Sequence, residues 1–499
     1  MFFFLRLISV LLQFQTVPLS ALPAPPAPPN NGSHEAPTRQ GWTDQPDQRG
    51  SLDILWSSLF TMFLSSWAIL CLNVPPQGEK EVYRWRRKFW MTCLTLLAPE
   101  WVFQMAVGQW LHARRSVKEF QGAKMGWWTL KHAFYANMGG FMLRARDTAA
   151  GDDATEPRYW KPFPLTANQL FYLIERGYFE PPRINKRMIR ERDKVDGAIR
   201  LLTVLQIIWF LINLAGRAAQ HLPVTCLELT TATFIFAAIG ITFCWTHKPA
   251  DLVIPTIITT EYSIQEILLQ AGDRARQPYL RTPLDFVDYE EWSLSLYFQH
   301  CVRILNHMRV PVGRPTAPRP SIENTFHLPL SDNATDIILI LSLGYTALFF
   351  PAWNFTYPTQ IERSLFRAAI ITILVTLPCF WLTTRWAFSW LPWLRDRYNL
   401  NILISGSEPP SPGEEPQWPG REHGANRCDP SLIASCRNNS VSKHEKLALP
   451  LKAVLPMYVL GVFYCTARAY IYVADFVELR SLEPKCYDNV DWASLLPHI

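Results

Sequence analysis

Glu100, Glu228, Arg468 and Asp475 interrupt apolar runs long enough to enter a membrane. A charge in such a run is costly to bury, so each is a candidate functional group. Arg468 and Asp475 are seven residues apart, two helical turns, and share one stripe of a helix. Glu100 follows Pro99, and Glu228 sits in CLELTT. Carboxylates in a pocket of low dielectric are the groups an acid–base enzyme would use. His247 and Asp251 close the run FCWTHKPAD, where an imidazole oriented by a carboxylate could shuttle a proton near neutral pH.

Each candidate has a structural reading beside the chemical one. Arg217 and Glu228 fall at the same end of one helical hairpin and are expected to pair, and Arg468 is expected to bridge to Glu100. His247 and Lys248 are expected to mark the cytosolic exit of a span. Pro249 would stop that helix and Asp251 would cap the next element. No nucleophile lies close to His247 in sequence. The run TPLDFVDYEEW carries Asp285, Asp288, Glu290 and Glu291, a pattern that invites a magnesium–diphosphate reading. The same residues read better as a helix start, with Thr282 as N-cap, Pro283 at the first helical position and Asp285 completing a capping box.

The chain has no C-x-x-C, zinc spacing, G-x-S-x-G, H-E-x-x-H, Walker A or dinucleotide fingerprint. None of its 11 histidines sits mid-span, which argues against a bis-histidine haem. The reading is therefore of no cofactor and no metal. Most of the 10 cysteines lie in apolar runs as small hydrophobes; Cys428 and Cys436 share a polar loop. Gly139-Gly140 reads as a turn or close-packing device.

The elements that must position these groups are membrane spans. The chain of 499 residues is 49% hydrophobic and 13% aromatic, with 20 Trp, and only 18% charged. Soluble domains carry about a quarter of charged residues. The net charge of +6 is concentrated in YRWRRKFW, HARRSVK and RINKRMIRERDK, which beside apolar runs read as cytosolic anchors and not as a nucleic-acid face. Residues 1–21 look like a signal peptide or uncleaved anchor. Residues 22–50 are expected to be disordered and lumenal, with Asn31 in a glycosylation pattern. Residues 51–143 hold the first span and a second run, Phe89 to Leu111. Pro99-Glu100 in that run, and basic clusters on both sides of it, predict a kinked, re-entrant or interface-lying helix, or a span paired with the weaker stretch WWTLKHAFYANMGGFML. Residues 144–200 form a cytosolic helical segment, with Thr166 as N-cap and Gly177 as C-cap. A transmembrane hairpin at 201–250, a cytosolic segment at 251–335 and a second hairpin at 336–386 come next, with Asn354 in a lumenal sequon. A disordered cytosolic loop covers 387–448, and 449–499 hold the last span and tail. The pattern gives about five spans and one or two further stretches that could span, with no internal repeat.

RGSLDILWSSLFTMFLSSWAILCLNVP, APEWVFQMAVGQWLHARRSVKEF, FCWTHKPAD and the ending VDWASLLPHI, in that order, resemble a family of uncharacterised polytopic membrane proteins of filamentous fungi. The resemblance covers nearly the whole chain after Gly50. Some members of that family are encoded near secondary-metabolite genes, which implies a role around a biosynthetic pathway. The family has no agreed catalytic residues. Its first run usually has a Cys a few residues after the first Trp, where this chain has Ser57 and Ser58.

The expected fold is all-α, a polytopic integral membrane helical bundle with amphipathic cytosolic helices and disordered loops. The expected setting is a multi-pass protein of the endoplasmic reticulum or another secretory-pathway membrane. The expected function is to act on, or organise, a lipophilic small molecule. A scaffold or receptor docking soluble pathway enzymes is the alternative, and a transporter the third reading.

Overall fold

The structure, a computed structural model, describes residues 41–44, 49–147, 162–182, 184, 188–189, 197–250, 252–272, 275, 282–288, 321–322, 324, 332–355, 357–386, 390, 393–394, 397 and 451–492. The expected signal segment, Asn31, Asp251, Glu290, Glu291, Cys428 and Cys436 lie outside them. In chain order the elements are α1 (Ser51–Ile69), α2 (Glu81–Leu97), α3 (Pro99–Gly122), α4 (Leu130–Asn137), β1 (Phe141–Arg144), β2 (Phe163–Pro164), α5 (Ala167–Glu175), α6 (Gly197–Ala219), α7 (Cys226–Cys244), β3 (Thr256–Thr259), α8 (Ile264–Ala271), α9 (Asp332–Ala347), α10 (Gln360–Arg385) and α11 (Leu451–Glu478). Among the described residues six helical stretches are long and apolar enough to cross a membrane: Ser51–Ile69, Leu201–Ala219, Cys226–Cys244, Asp336–Asn354, Gln360–Arg385 and Leu455–Glu478. They coincide with the first span, the two hairpins and the last span of the sequence pattern, and they are compatible with a multi-pass membrane protein.

Local sequence sets the helix starts. Thr225, Thr166, Ser263 and Thr359 each occupy an N-cap whose side chain accepts from the backbone N–H three residues on, where Glu228, Gln169, Glu266 and Glu362 reach back to the cap. Each is the reciprocal capping box, which satisfies two amide donors at a helix end. Thr166 is thus the N-cap the sequence predicts. Gly177 follows α5 with φ of +75°, a left-handed position suited to glycine.

Long-range pairs fix the directions. Arg49 meets Glu228 at the start of α1 and α7, and Met62 packs with Phe234 and Ala238 further along, so these two helices run the same way. Helix α11 runs against them, with Glu478 at Cys226 and Asp475 at Thr230. The second apolar run is two helices broken at Ala98 (φ −141°, ψ 67°), with Pro99 at the first position of α3. Trp85, early in α2, stacks on Trp67, late in α1. Leu96 packs halfway up the bundle with Met62 and Phe234. Gln109, on α3, has returned to Trp245 at the far end of α7. The pair therefore enters and leaves by one end and is re-entrant. Its tip is covered by protein, where buried irregular backbone finds its partners. Gly240 permits the return. A Cβ there would lie 2.5 Å from Phe103 of α3.

The bundle is not the whole fold, and the all-α expectation misses one element. A three-stranded sheet of order β2-β1-β3 pairs β1 antiparallel with β2 (Met142 opposite Pro164) and parallel with β3 (Phe141 opposite Thr256). With the end of α3, α4, α5 and α8 it builds the largest apolar core, around fully buried Trp128, Phe134 and Phe141. Gly139 turns the chain into β1 with φ of +82°, and a Cβ on Gly140 would meet the Tyr135 ring at 2.5 Å, so both glycines serve the turn and packing expected of them. The magnesium-type run closes this unit as a short 3-10 turn, Asp285–Val287. Thr282 Oγ1 donates to Asp285 and Thr166 Oγ1 donates to Asp288, so both buried carboxylates serve as latches.

Part of the stretch expected to be disordered is ordered. Tyr487 OH donates to the Gly41 carbonyl, Ser51 N donates to Thr43 O, and Arg49 N donates to Tyr487 O. These bonds fasten the N-terminal approach to the C-terminal tail. Asn354 is exposed at the end of the 3-10 turn Phe350–Asn354.

Gly240→Leu should cost about 1–3 kcal/mol by overpacking α3 against α7. Gly344→Ala, where nothing lies within 4 Å of the new Cβ, should leave the thermal midpoint in detergent unchanged. Equal midpoints for Gly240→Leu and the parent would contradict the close α3–α7 crossing.

Candidate functional site

The five described candidate residues separate into three places. Glu228 lies at the end of the bundle where α1 and α7 begin. Glu100, Arg468 and Asp475 lie in its interior. His247 is exposed at the opposite end, and Asp251 is outside the described residues.

At the first place the expected Arg217–Glu228 pair is replaced by a different one. Glu228 accepts from Arg49 and, through its other oxygen, from Thr225 N and Oγ1 at 3.0 Å each. Arg217, 2% exposed, donates instead to four backbone carbonyls: Pro223 O at 2.8 Å, Asp488 O and Cys486 O at 2.9 Å, and Lys485 O at 3.3 Å. The physical reason is reach and number. Arg217 carries five N–H groups in a planar fork, and the tail offers several acceptors to it, whereas Glu228 is taken by its own cap and by Arg49. Sequence reasoning missed Arg49, because nothing local separates it from the polar stretch before it. The cap was legible, since T-C-L-E is a capping-box signature.

This network forms the floor of a cleft of about 350 Å³ between α1, α6 and the tail. Arg49, Asp53, Arg217 and Glu228 give it two positive and two negative groups. Trp209, Phe210, Leu214 and Trp492 give it an apolar wall, where Trp209 and Trp492 lie 6.1 Å apart. Gly216 lets the tail approach; a Cβ there would be 2.9 Å from Val490. Asp53 accepts from Gly50 N at 3.1 Å, and Gln206 donates to Thr61 at 3.0 Å, so the lining is held in place. Beneath the tail, burial pushes the Cys486 thiol up to about 12, which leaves it inert at neutral pH.

In the interior, the expected Glu100–Arg468 bridge is not a direct ion pair. Tyr464 OH donates to Glu100, while Arg468 Nη2 donates to Tyr345 OH at 2.8 Å and Tyr472 OH at 3.4 Å. Its guanidinium also lies over the rings of Phe349, Tyr345 and Tyr472, 5.2–5.7 Å from their centroids. Tyrosines from α9 and α11 take the bonds that a direct bridge would have made. Asp475 accepts from Thr230 at 3.2 Å, and Glu478 accepts from Cys226 N at 2.7 Å.

At the opposite end Lys248 is not the exposed anchor the sequence suggests. It is 4% exposed; Nζ donates to Gln109 Oε1 at 3.0 Å and lies 4.4 Å from the Trp245 ring centroid. Trp245 Nε1 donates to the same oxygen at 3.1 Å. Burial holds the Lys248 ammonium down to about 8. The positive-inside rule reads Lys248 as the end of a span and does not show its burial, because its hydrogen-bond partner, Gln109, comes from α3, far away in sequence.

A family of unknown function (DUF8562) matches residues 26–270, from ahead of α1 through nearly all of α8. That region holds the first three spans, the re-entrant pair and the sheet. It agrees with the resemblance to an uncharacterised family. No curated protein matches the chain, and no solved structure does.

The geometry sets two expected outcomes. Arg49→Leu leaves Glu228 buried without its cation, at a cost of about 3–5 kcal/mol. Adding Glu228→Gln should recover part of it, and a double variant no more stable than Arg49→Leu would refute the pairing. For Lys248 the folded pKa is depressed, so the fold disfavours the proton. Below about pH 8 the folded protein carries the full penalty, about 3 kcal/mol. As pH rises from there toward the unfolded value of 10.5, the penalty shrinks and stability grows. Lys248→Met should therefore melt higher than the parent near pH 7, with the gap closing toward pH 10; a gap independent of pH would sink this account.

Proposed function

We propose that this protein binds and organises a lipophilic small molecule in a secretory-pathway membrane, with the cleft beside Arg49 as its binding site. The observation that carries the reading is the cleft's composition. Small-molecule sites are concave and largely apolar, with a few fixed polar groups. This one has aromatic walls and a braced polar floor whose charges balance. A ligand with an uncharged polar end and an apolar body fits that lining. Its outer wall is α6, whose Leu201, Leu205, Ile208 and Ile212 are exposed and suited to lipid, so such a ligand would reach the cleft from the bilayer.

Binding is favoured over catalysis because only Glu228 of the five described candidates lines the cleft, and both of its oxygens are engaged. On this reading the end with Arg84, Arg86, Arg87, Arg114 and Arg115 is cytosolic and the cleft opens at the lumenal end. Glycosylation of Asn31 and Asn354, a cleaved signal, a place in fungal secondary metabolism and docked soluble enzymes belong to the same proposal. The exposed Trp85, Phe89 and Trp90 on α2 favour a second role as an interface for such enzymes or for the headgroup layer.

The test uses the full-length protein in nanodiscs with a photoactivatable long-chain alcohol. Labelling should map to α6 and the tail around Trp209 and Trp492. Asn213→Trp, which fills the cleft, should lose the label while keeping its melting temperature. Undiminished labelling of Asn213→Trp would overturn the proposal.

A further inference from the structure

Helix α2 changes character along its length. Its first half, EVYRWRRK, is basic and aromatic, and its second half, FWMTCLTLL, is apolar. The first half lies at the end of the bundle where Trp85 stacks on Trp67, and the second rises to the re-entrant tip. Its outward face is uncovered: Val82, Trp85, Phe89, Trp90 and Leu97 are 51–73% exposed. Arg86, also exposed, falls among them, because Val82, Arg86, Phe89 and Trp90 share one side at helical spacing.

The aromatic groups at this end lie at one depth. Met62 packs with Phe234 and Ala238. Trp67 lies five residues beyond Met62, and Phe243 five beyond Ala238; α1 and α7 run the same way, so the two rings stand level. Trp85 stacks on Trp67 at 5.7 Å, and Trp110 of α3 lies 6.2 Å from Phe243. Cations stand over these rings. Lys88 Nζ is 4.8 Å from the Trp67 centroid, the Arg114 guanidinium 4.5 Å from that of Trp110, and the Arg86 guanidinium 5.0 Å from that of Tyr83. Rings of this kind hold a cation where an apolar layer gives way to a wet one. Helix α10 adds a third group. It starts where Glu362 meets Arg480, just beyond the end of α11, and after 26 residues it sets Arg385 5.3 Å from the Trp381 centroid, beside exposed Trp386.

The acids beside these cations are taken. Glu79 pairs with Arg87, Glu81 with Arg84 and Glu119 with Arg115. Arg86 and Arg114 make no ion pair among the described residues, and both are exposed. We propose, resting on the reading of a bilayer-spanning bundle with this end cytosolic, that this end binds anionic phospholipid headgroups. Arg86 and Arg114 hold the lipid phosphates, and the aromatic belt fixes the depth at which they do so. A zwitterionic headgroup carries its own cation, so an unpaired guanidinium gains more from an anionic one. The gradient along α2 selects lipid over a soluble protein. A headgroup layer passing into hydrocarbon matches a helix that is charged, then aromatic, then apolar, and a protein surface imposes no such order.

The experiment uses full-length protein in phosphatidylcholine nanodiscs carrying a trace of photoactivatable phosphatidylserine or, in parallel, photoactivatable phosphatidylcholine. Mass spectrometry maps the labels. Around residues 82–90 and 110–114 the serine probe should exceed the choline probe by about fivefold or more, since each cation near the surface contributes about that factor. The double variant Arg86→Gln, Arg114→Gln should bring the two probes to equal labelling. About 1 M NaCl should do the same to the parent, an arm that needs no variant to fold. Lys485→Gln, which removes an exposed cation at the Arg49 end, should leave the preference unchanged. Equal labelling of the parent at low salt overturns the proposal, as does a preference that survives the double variant or the salt. Absence of both labels from α2 also overturns it and leaves that face to a protein partner. None of these results touches ligand binding in the cleft at the other end, which the alcohol probe reads separately.

Discussion

No apolar surrounding, lipid or protein, can solvate the stripe on α11, and the arrangement of the bundle derives from that constraint. Arg468 and Asp475 have to face protein, so α7, α9 and the re-entrant tip close over them. Each covering element supplies polar partners: Thr230 and the Cys226 amide from α7, Tyr345 from α9, Glu100 from α3. Aromatic rings around Arg468 supply attraction where, among the described residues, no carboxylate bonds it directly. The burial of α7, the most enclosed of the six spans, is a consequence. It lies between the stripe on one side and α1 and α3 on the other.

The same logic organises the end beside Arg49. Two carboxylates, Glu228 and Glu478, converge on the first turn of α7, where exposed amides and the helix dipole favour negative charge. Arg49 completes the site from ahead of α1, and Arg217 gathers the tail's carbonyls. The N-terminal approach, the α6–α7 hairpin and the C-terminal tail are thereby tied by charged bonds. The cleft is the gap this knot leaves against α6, and its rigidity comes from the groups that bound it.

Much of this was legible in the sequence, for physical reasons that differ by element. A span needs about 20 apolar residues, a signal strong enough to read alone. The re-entrant pair was announced by Pro99-Glu100 in an apolar run with basic clusters on both sides. Capping boxes were written as T-C-L-E and T-A-N-Q. The sheet was not legible, because β2 is two residues long and β1 finds its parallel partner β3 more than a hundred residues away. The role of Arg49 and the burial of Lys248 were not legible for one shared reason. A local rule assigns a charged residue to solvent, and only a distant partner, Glu228 or Gln109, makes burial tolerable.

Glu100 shows how the break and the charge depend on each other. Pro99 cannot donate an amide and fits only the first position of a helix. With Ala98 it ends α2 halfway up the bundle and exposes the first amides of α3 there. A negative side chain in that turn offsets their partial charge, and Arg468 from α11 lies close enough to act on it electrostatically. An uninterrupted helix would have carried the later residues, with Arg114 and Arg115, toward the opposite end of the bundle. The break returns them to the end from which α2 came. The tip thus resolves two demands at once: it keeps both basic clusters on one side, and it delivers a carboxylate to the one depth where a guanidinium needs a counter-charge.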